Sequence, residues 1–166
     1  MGRRGEKETV PTISHFWAAY YGAMSASPAA FCANIINPIL ALLLLAIPFL
    51  TRKGSLAPSF WLASAAGMIV GTFLAERGKA HQIWPGHPGF PSGHETFGIA
   101  AGVSLICWDR RWAFMVVPIL ILLGGALITV KYHDLPDVLG ATVTGTVPAL
   151  FFQAIRRTLR KSSRPG

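Results

Sequence analysis

Long apolar runs separated by short charged or polar breaks are the main pattern along this chain. A helix needs about 17 to 25 such residues to cross a hydrocarbon core. Five runs are clear, and they cover residues 30–50, 59–75, 92–108, 112–130 and 135–155. A sixth segment, residues 11–28, is diluted by polar residues, so it either crosses a membrane or lies along its surface. We therefore expect an all-α, multi-pass transmembrane helical bundle, with six spans if residues 11–28 cross.

The composition agrees with this pattern. Hydrophobic residues make up 52% of the 166 residues and charged residues only 13%, which is far from the average of soluble domains. We expect a single transmembrane domain over residues 1–166, with its chemically informative part between residues 77 and 150.

The positions of the basic residues predict the orientation of the spans. Short cytoplasmic loops are enriched in Lys and Arg. If the clear spans alternate, the basic pairs at 52–53, 110–111, 156–157 and 160–161 all lie on one side, which is then the cytoplasmic side. With a sixth span, both termini lie there as well.

The net charge of +8 does not by itself indicate a nucleic-acid partner. Most of the basic residues lie at span ends, where they meet anionic lipid headgroups. No basic stripe with interleaved aromatic residues appears outside the spans. We expect contact with membrane lipids and no nucleic-acid partner, and the oligomeric state stays open.

Polar and ionisable residues gather on the opposite, extracytoplasmic side. The residues concerned are Glu76, Arg77, Lys79, His81, His87, Ser92, His94, Glu95, Lys131, His133, Asp134 and Asp137. Ionisable groups collected at the mouths of spans mark a functional site. A structural interpretation is also open, because Ser92 and Glu95 have the spacing of a capping box, and Asp134 and Asp137 flank a proline in the first turn of a helix.

Taken together, these residues have the properties needed to bind a phosphate. A helix that starts at Ser92 offers free backbone N–H groups and its positive dipole end to an anion, and Gly93 allows that anion to come close. Arg77, Lys79 and Lys131 can supply positive charge. We expect these five residues to form the phosphate-binding part of the site.

The histidines add a catalytic group beside each helix start. Asp137 lies four residues after His133, so in a helical first turn its carboxylate can reach one imidazole nitrogen and orient the other. His94 is free to donate a proton. This arrangement is suited to cleavage of a phosphoester by a histidine nucleophile, with no metal and no other cofactor.

Two short motifs resemble a known family. Pro91-Ser92-Gly93-His94, followed about forty residues later by His133-Asp134-Leu135-Pro136-Asp137, resembles the signature of the type 2 phosphatidic acid phosphatase superfamily, which includes vanadium haloperoxidases. The resemblance is to the membrane lipid-phosphatase branch and covers residues 77–150. It implies hydrolysis of a phosphomonoester or diphosphate headgroup, such as phosphatidate, phosphatidylglycerophosphate or a polyprenyl (di)phosphate.

The resemblance also implies a role for each motif residue. His133 corresponds to the nucleophile that forms a phosphohistidine, and Asp137 corresponds to its orienting partner. His94 corresponds to the acid that protonates the leaving oxygen, while Ser92 and the backbone of Gly93 correspond to groups that hold phosphate oxygens.

The chain departs from the family pattern at two positions. Trp84 and Leu127 stand where the family has arginines, and an arginine introduced at position 127 is expected to raise activity if this missing group is limiting. Two other interpretations therefore stay open. The first is a catalytically degenerate member that binds lipid phosphates or acts as a scaffold. The second is a metal-dependent membrane hydrolase whose ligands are drawn from His81, His87, His94 and His133.

Overall fold

The computed structural model describes residues 27–162, which form five α-helices. They are α1 (Pro28–Leu50), α2 (Ala57–Ala80), α3 (Gly93–Trp108), α4 (Ala113–Thr129) and α5 (Leu135–Ser162), with short 3₁₀ turns at Gly54–Leu56 and Arg110–Trp112. The described part is 84% helical and contains no strand. The predicted all-α class is confirmed for this part of the chain.

Four helical segments are long and apolar enough to cross a membrane. They are Pro28–Leu50, Gly54–Ala80, Arg110–Thr129 and Leu135–Ser162. α3 is shorter, with 16 residues, or about 24 Å at the rise of an α-helix. The described residues thus provide several helices that are long and apolar enough for the predicted multi-pass arrangement, but the count of six is not confirmed. The uncertain segment 11–28 lies almost wholly outside the described residues.

α3 is the central helix, and it contacts each of the other four. Small residues allow its neighbours to approach closely, which is typical of helix pairs in membranes. A Cβ atom added at Gly145 of α5 would lie 2.6 Å from the carbonyl oxygen of Thr96, and one added at Gly71 of α2 would lie 2.9 Å from that of Thr144. The hydroxyls of Thr96 and Thr144 share a hydrogen bond of 2.9 Å. α2, α3 and α5 therefore form a tightly packed group.

α1 and α4 complete the bundle through larger aliphatic side chains. The buried core that joins them to α3 includes Ile36, Leu40, Leu44, Leu105, Val116, Leu123 and Leu127. Asn37 is a polar exception in this part of α1, since it is buried and its side-chain amide reaches α3.

The bundle has two chemically different ends. At the end that we call the motif end, the backbone N–H of Ser92 donates to the carbonyl oxygen of Asp137 at 3.1 Å, so the starts of α3 and α5 meet. At the other end, which we call the basic end, the indole N–H of Trp108 donates to the Thr51 hydroxyl at 3.1 Å. Arg157 donates there to the carbonyl oxygen of Cys107. The two family-like motifs therefore lie at the same end of the molecule.

Two helices continue beyond their predicted bounds. α2 was expected to end at residue 75, but it runs to Ala80, so Glu76, Arg77 and Lys79 belong to its last turns and not to a loop. α5 was expected to end at residue 155 but continues to Ser162. Both extensions carry basic residues in their last turn, and these are good helix formers that interact favourably with the negative end of the helix dipole.

Candidate active site

A histidine–carboxylate pair lies at the start of α5. The Nδ1 atom of His133 is 3.2 Å from Oδ2 of Asp137, and the same oxygen accepts a hydrogen bond from the backbone N–H of Asp134 at 3.2 Å. Asp137 is only 4% exposed. A carboxylate acceptor favours the tautomer with the proton on Nδ1, which leaves the lone pair of Nε2 free to attack an electrophile.

The loop between α2 and α3 lies directly against this pair. A Cβ atom added at Gly89 would be 2.9 Å from Oδ2 of Asp137 and 3.1 Å from Nδ1 of His133, so only glycine fits here without displacing one of them. The Phe90 ring packs against Gly140 of α5. The loop thereby fixes the position of the α3 start relative to His133.

Ser92 begins α3 as the sequence predicts, but the capping box is only half formed. The Ser92 hydroxyl accepts a hydrogen bond from the backbone N–H of Glu95 at 3.2 Å. The reciprocal bond is missing, because the N–H of Ser92 donates to Asp137 instead. The Glu95 side chain is directed towards Gly124 of α4, where a Cβ atom would lie 3.5 Å from its Oε1.

A carboxylate that sequence reasoning did not assign to the site lies over the first turn of α3. A Cβ atom added at Gly93 would be 2.6 Å from Oε1 of Glu76 and 3.3 Å from Nζ of Lys79. Glu76 and Lys79 form an ion pair of 2.7 Å. The Glu76 carboxylate therefore lies where an external anion would approach the N–H groups of α3, and it neutralises part of the charge of Lys79. The spacing of three residues between the two could have indicated this pair.

His94 lies between the phosphate-binding residues and the His133 pair. Its side chain is exposed, and it is within electrostatic range of both His133 and Lys79. Its backbone carbonyl oxygen accepts a hydrogen bond of 2.9 Å from the side-chain amide of Asn37. Asn37 thus positions the α3 start from α1, and its amide within an apolar span is the sequence signal that could have indicated this role.

The other two predicted cations, Arg77 and Lys131, form no ion pair within residues 27–162. Arg77 is exposed, and its guanidinium carbon lies 5.7 Å from the ring centre of Phe73, one turn earlier on α2. Lys131 is exposed in the turn after α4, with a left-handed φ of 57°. Lys79 is therefore the predicted cation that the structure brings to the α3 start.

The two positions that differ from the family motif have different environments. Trp84 is 47% exposed and packs against Phe90, with ring centres 4.9 Å apart. Leu127 is 2% exposed and belongs to the apolar core of α1, α3 and α4. An arginine at position 127 would be buried in that core, so the expectation that it would add to a phosphate site does not agree with the structure.

The Glu95 side chain is buried instead of completing the capping box that the sequence predicts. It is 2% exposed, and its Oε2 atom has no hydrogen-bond partner within residues 27–162. A buried carboxyl oxygen without a partner is costly. It lines one end of an apolar groove of about 530 Å³ formed by α3, α4 and α5, whose walls include Ile99, Leu120 and Val138.

The four histidines considered as metal ligands are not gathered into a metal site. Within residues 27–162, no group of three or more His, Cys, Asp or Glu side chains is arranged to hold a metal ion. His87 lies 3.9 Å from the carboxylate of Asp134, which is too long for a hydrogen bond.

Comparison of the chain with family models, curated proteins and solved structures finds no match. A function for this chain is therefore argued from the chemistry of the motif end and not from a relative.

Proposed function

We propose that this chain is a membrane lipid-phosphate phosphatase that hydrolyses a phosphomonoester or diphosphate headgroup through a phosphohistidine on His133. The observation that carries the proposal is the contact between the start of α5 and the start of α3. The oriented His133–Asp137 pair is joined, through the backbone hydrogen bond from Ser92 to Asp137, to a helix start that is suited to an anion. The motif resemblance supports the same chemistry.

The proposed reaction has two steps. In the first, Nε2 of His133 attacks phosphorus, the bond from phosphorus to the leaving oxygen breaks, and His94 gives its proton to that oxygen. The proton on Nδ1 stays hydrogen-bonded to Asp137, which stabilises the positive charge on the phosphorylated ring. In the second, water attacks phosphorus, His94 takes a proton from it, and the bond from phosphorus to Nε2 breaks.

The phosphate is held in this proposal by the start of α3 and by Lys79. The N–H groups of Gly93 and His94 have no acceptor within the helix, because the first four N–H groups of any α-helix lack one. They can donate to phosphate oxygens once the Glu76 carboxylate moves aside. Lys79, released from Glu76, then supplies the charge.

The apolar groove beside Glu95 supports a lipid as the substrate. It extends along α3 from Glu95 to Ile106, a distance of about 16 Å along a helix. An acyl or polyprenyl chain can lie in such a groove while its headgroup reaches the motif end. A small soluble phosphoester would leave this surface unused.

We also propose the orientation in the membrane. The basic end carries Arg52, Lys53, Arg110, Arg111 and the arginines of the α5 terminus, and the positive-inside rule assigns such an end to the cytoplasm. The site at the motif end is then extracytoplasmic, and it acts on lipids of that leaflet. Both termini are cytoplasmic if residues 11–28 form a further span.

A catalytically degenerate, lipid-phosphate-binding member is the second candidate, and one observation favours it. Lys79 is the predicted cation at the α3 start, and it is already paired with Glu76. Arginines bind phosphate oxygens in a bidentate manner that a single lysine cannot reproduce. If Glu76 does not move, the site would bind a phosphate weakly and turn over slowly.

The experiment that tests the proposal is phosphate release by the detergent-purified protein from a panel of lipid phosphates, with EDTA present. His133→Ala should lower release by about 10⁴-fold or more, because it removes the nucleophile. His81→Ala is the matched control, since His81 is exposed at the end of α2 and should keep wild-type activity.

The other outcomes contradict the proposal in different ways. Release that EDTA abolishes would support a metal-dependent hydrolase and contradict the phosphohistidine step. If the folded protein releases no phosphate but binds a lipid phosphate, the degenerate member is favoured. Equal activity of His133→Ala and wild type would refute the role of His133.

A further inference from the structure

A second cavity lies at the basic end, far from the motif residues. It has a volume of about 380 Å³, and five of its lining residues are basic: Lys53, Arg156, Arg157, Arg160 and Lys161. Among the residues that the structure describes, no acidic side chain lines it. The ion pairs identified within residues 27–162 involve none of these five residues. Within residues 27–162, no carboxylate therefore offsets their mutual repulsion by an ion pair.

Arg156 lies in the wall of this cavity, beside two aromatic rings. Its guanidinium carbon lies 5.3 Å from the ring centre of Phe60 and 5.7 Å from that of Trp108. Its Nε atom is buried and has no hydrogen-bond partner in the described part of the chain. A guanidinium that is positioned by two aromatic rings in the wall of a basic cavity can donate from its terminal amino groups to an acceptor such as a phosphate oxygen.

An apolar groove between α2 and α5 lies beside the cavity and shares two of its lining residues. The groove has a volume of about 580 Å³, and it is lined by Leu62, Ala66, Phe152, Ile155 and Leu159. Arg156 and Arg160 line both the cavity and the groove. A molecule that fills both spaces must carry an anionic group at one end and a hydrocarbon chain at the other.

We propose that the basic end binds one anionic phospholipid, with its phosphate at Arg156 and Arg160 and one acyl chain in the groove between α2 and α5. Basic cavities between membrane helices are suited to anionic headgroups. A free anion would occupy the cavity but would leave the groove empty. This site is separate from the motif end, and the proposal does not depend on catalysis there.

The test measures lipid binding to the detergent-purified protein by native mass spectrometry, with phosphatidylglycerol and phosphatidylcholine as probes. Phosphatidylglycerol should bind more tightly than phosphatidylcholine. The double variant Arg156→Gln/Arg160→Gln should weaken phosphatidylglycerol binding by about tenfold or more, because two charged donors are lost. Arg110→Gln/Arg111→Gln is the matched control, since it removes the same charge at the same end, outside the cavity.

A second variant distinguishes binding of a lipid from binding of a free anion. It leaves Arg156 in place, so it avoids the impaired folding that loss of this residue could cause. Ala66→Phe fills the groove without changing charge, so it should weaken phosphatidylglycerol binding several-fold if an acyl chain lies there. Equal binding of both lipids, or equal losses in the control and test double variants, would overturn the proposal. So would unchanged binding by Ala66→Phe, or displacement of the lipid by millimolar inorganic phosphate.

Discussion

Replacement of Gly93 by alanine tests whether an anion binds at the start of α3. The added Cβ atom would lie 2.6 Å from Oε1 of Glu76 and 3.3 Å from Nζ of Lys79. Both contacts are with the ends of flexible side chains, and that of Glu76 is 58% exposed. The new methyl group can therefore be accommodated in the protein itself, but it occupies the space through which a phosphate oxygen would reach the Gly93 N–H group.

The expected changes in stability and in kcat/KM distinguish a loss of phosphate binding from a loss of folding. Displacing Glu76 disrupts an exposed ion pair worth about 0–1 kcal/mol, so the stability should change by less than about 1 kcal/mol. Loss of one hydrogen bond to a charged phosphate oxygen costs about 1.5–3 kcal/mol, which lowers kcat/KM by about 10- to 150-fold. A large loss of activity with nearly unchanged stability is thus the expected result.

Two other glycines provide matched controls. Gly54 lies at the basic end, and the nearest atoms to an added Cβ belong to the Phe49 ring at 3.6 Å, an ordinary contact, so Gly54→Ala should retain both stability and activity. At Gly145, the Cβ atom would lie 2.6 Å from a backbone oxygen of Thr96, which cannot swing aside. Gly145→Ala should therefore lose about 1–3 kcal/mol of stability to overpacking.

The assay combines kcat/KM for phosphate release with thermal unfolding in the same detergent. Wild-type kcat/KM in Gly93→Ala, with the unfolding midpoint unchanged, would refute the binding of phosphate at the α3 start. If Gly93→Ala instead lowers the midpoint as far as Gly145→Ala does, the reasoning about flexible neighbours is wrong, and the activity loss would say nothing about the anion.

Two further predictions concern charge at the site and in the core. Glu76→Gln removes the carboxylate that competes for the α3 start and frees Lys79, so KM for a lipid phosphate should fall several-fold while kcat changes little. An unchanged or raised KM would argue that Glu76 does not compete with substrate. Leu127→Arg places a charge in the apolar core, which costs about 3 kcal/mol or more, so the unfolding midpoint and the yield of folded protein should both fall. Leu127→Met, which conserves volume, should retain both, and a stable, more active Leu127→Arg would contradict the placing of this residue in the core.

Apolar run length was enough to predict the helices but not where they end. Charged residues mark the end of an apolar run, yet they do not end a helix, because Arg and Lys are good helix formers and favour its C-terminus. For this reason α2 continues to Ala80 and α5 to Ser162. The prediction of a helix start at Ser92 succeeded because a side chain that caps a helix N-terminus is a local signal.

The site was predictable only where its contacts are local in sequence. The pair of His133 and Asp137 follows from a spacing of four residues at a helix start. The contact of Glu76 with Gly93 and the bond from Asn37 to His94 join different helices. Such contacts depend on which face each helix turns to its neighbour, and that choice is made by packing of the whole bundle. Hence Lys79 and Arg77, two residues apart, face different surroundings.

The position of Glu76 also bears on the missing arginines. A carboxylate at a helix N-terminus is stabilised by the same N–H groups and dipole that would stabilise a phosphate. In a site that contains arginine side chains, their charge would favour binding of the more highly charged phosphate over binding of a carboxylate. Here Lys79 is the cation at the α3 start, and Glu76 pairs with it at 2.7 Å. A phosphate that binds there must therefore displace the Glu76 carboxylate. The strength of the Glu76–Lys79 ion pair then decides whether the protein is an active phosphatase or a weak binder of lipid phosphates.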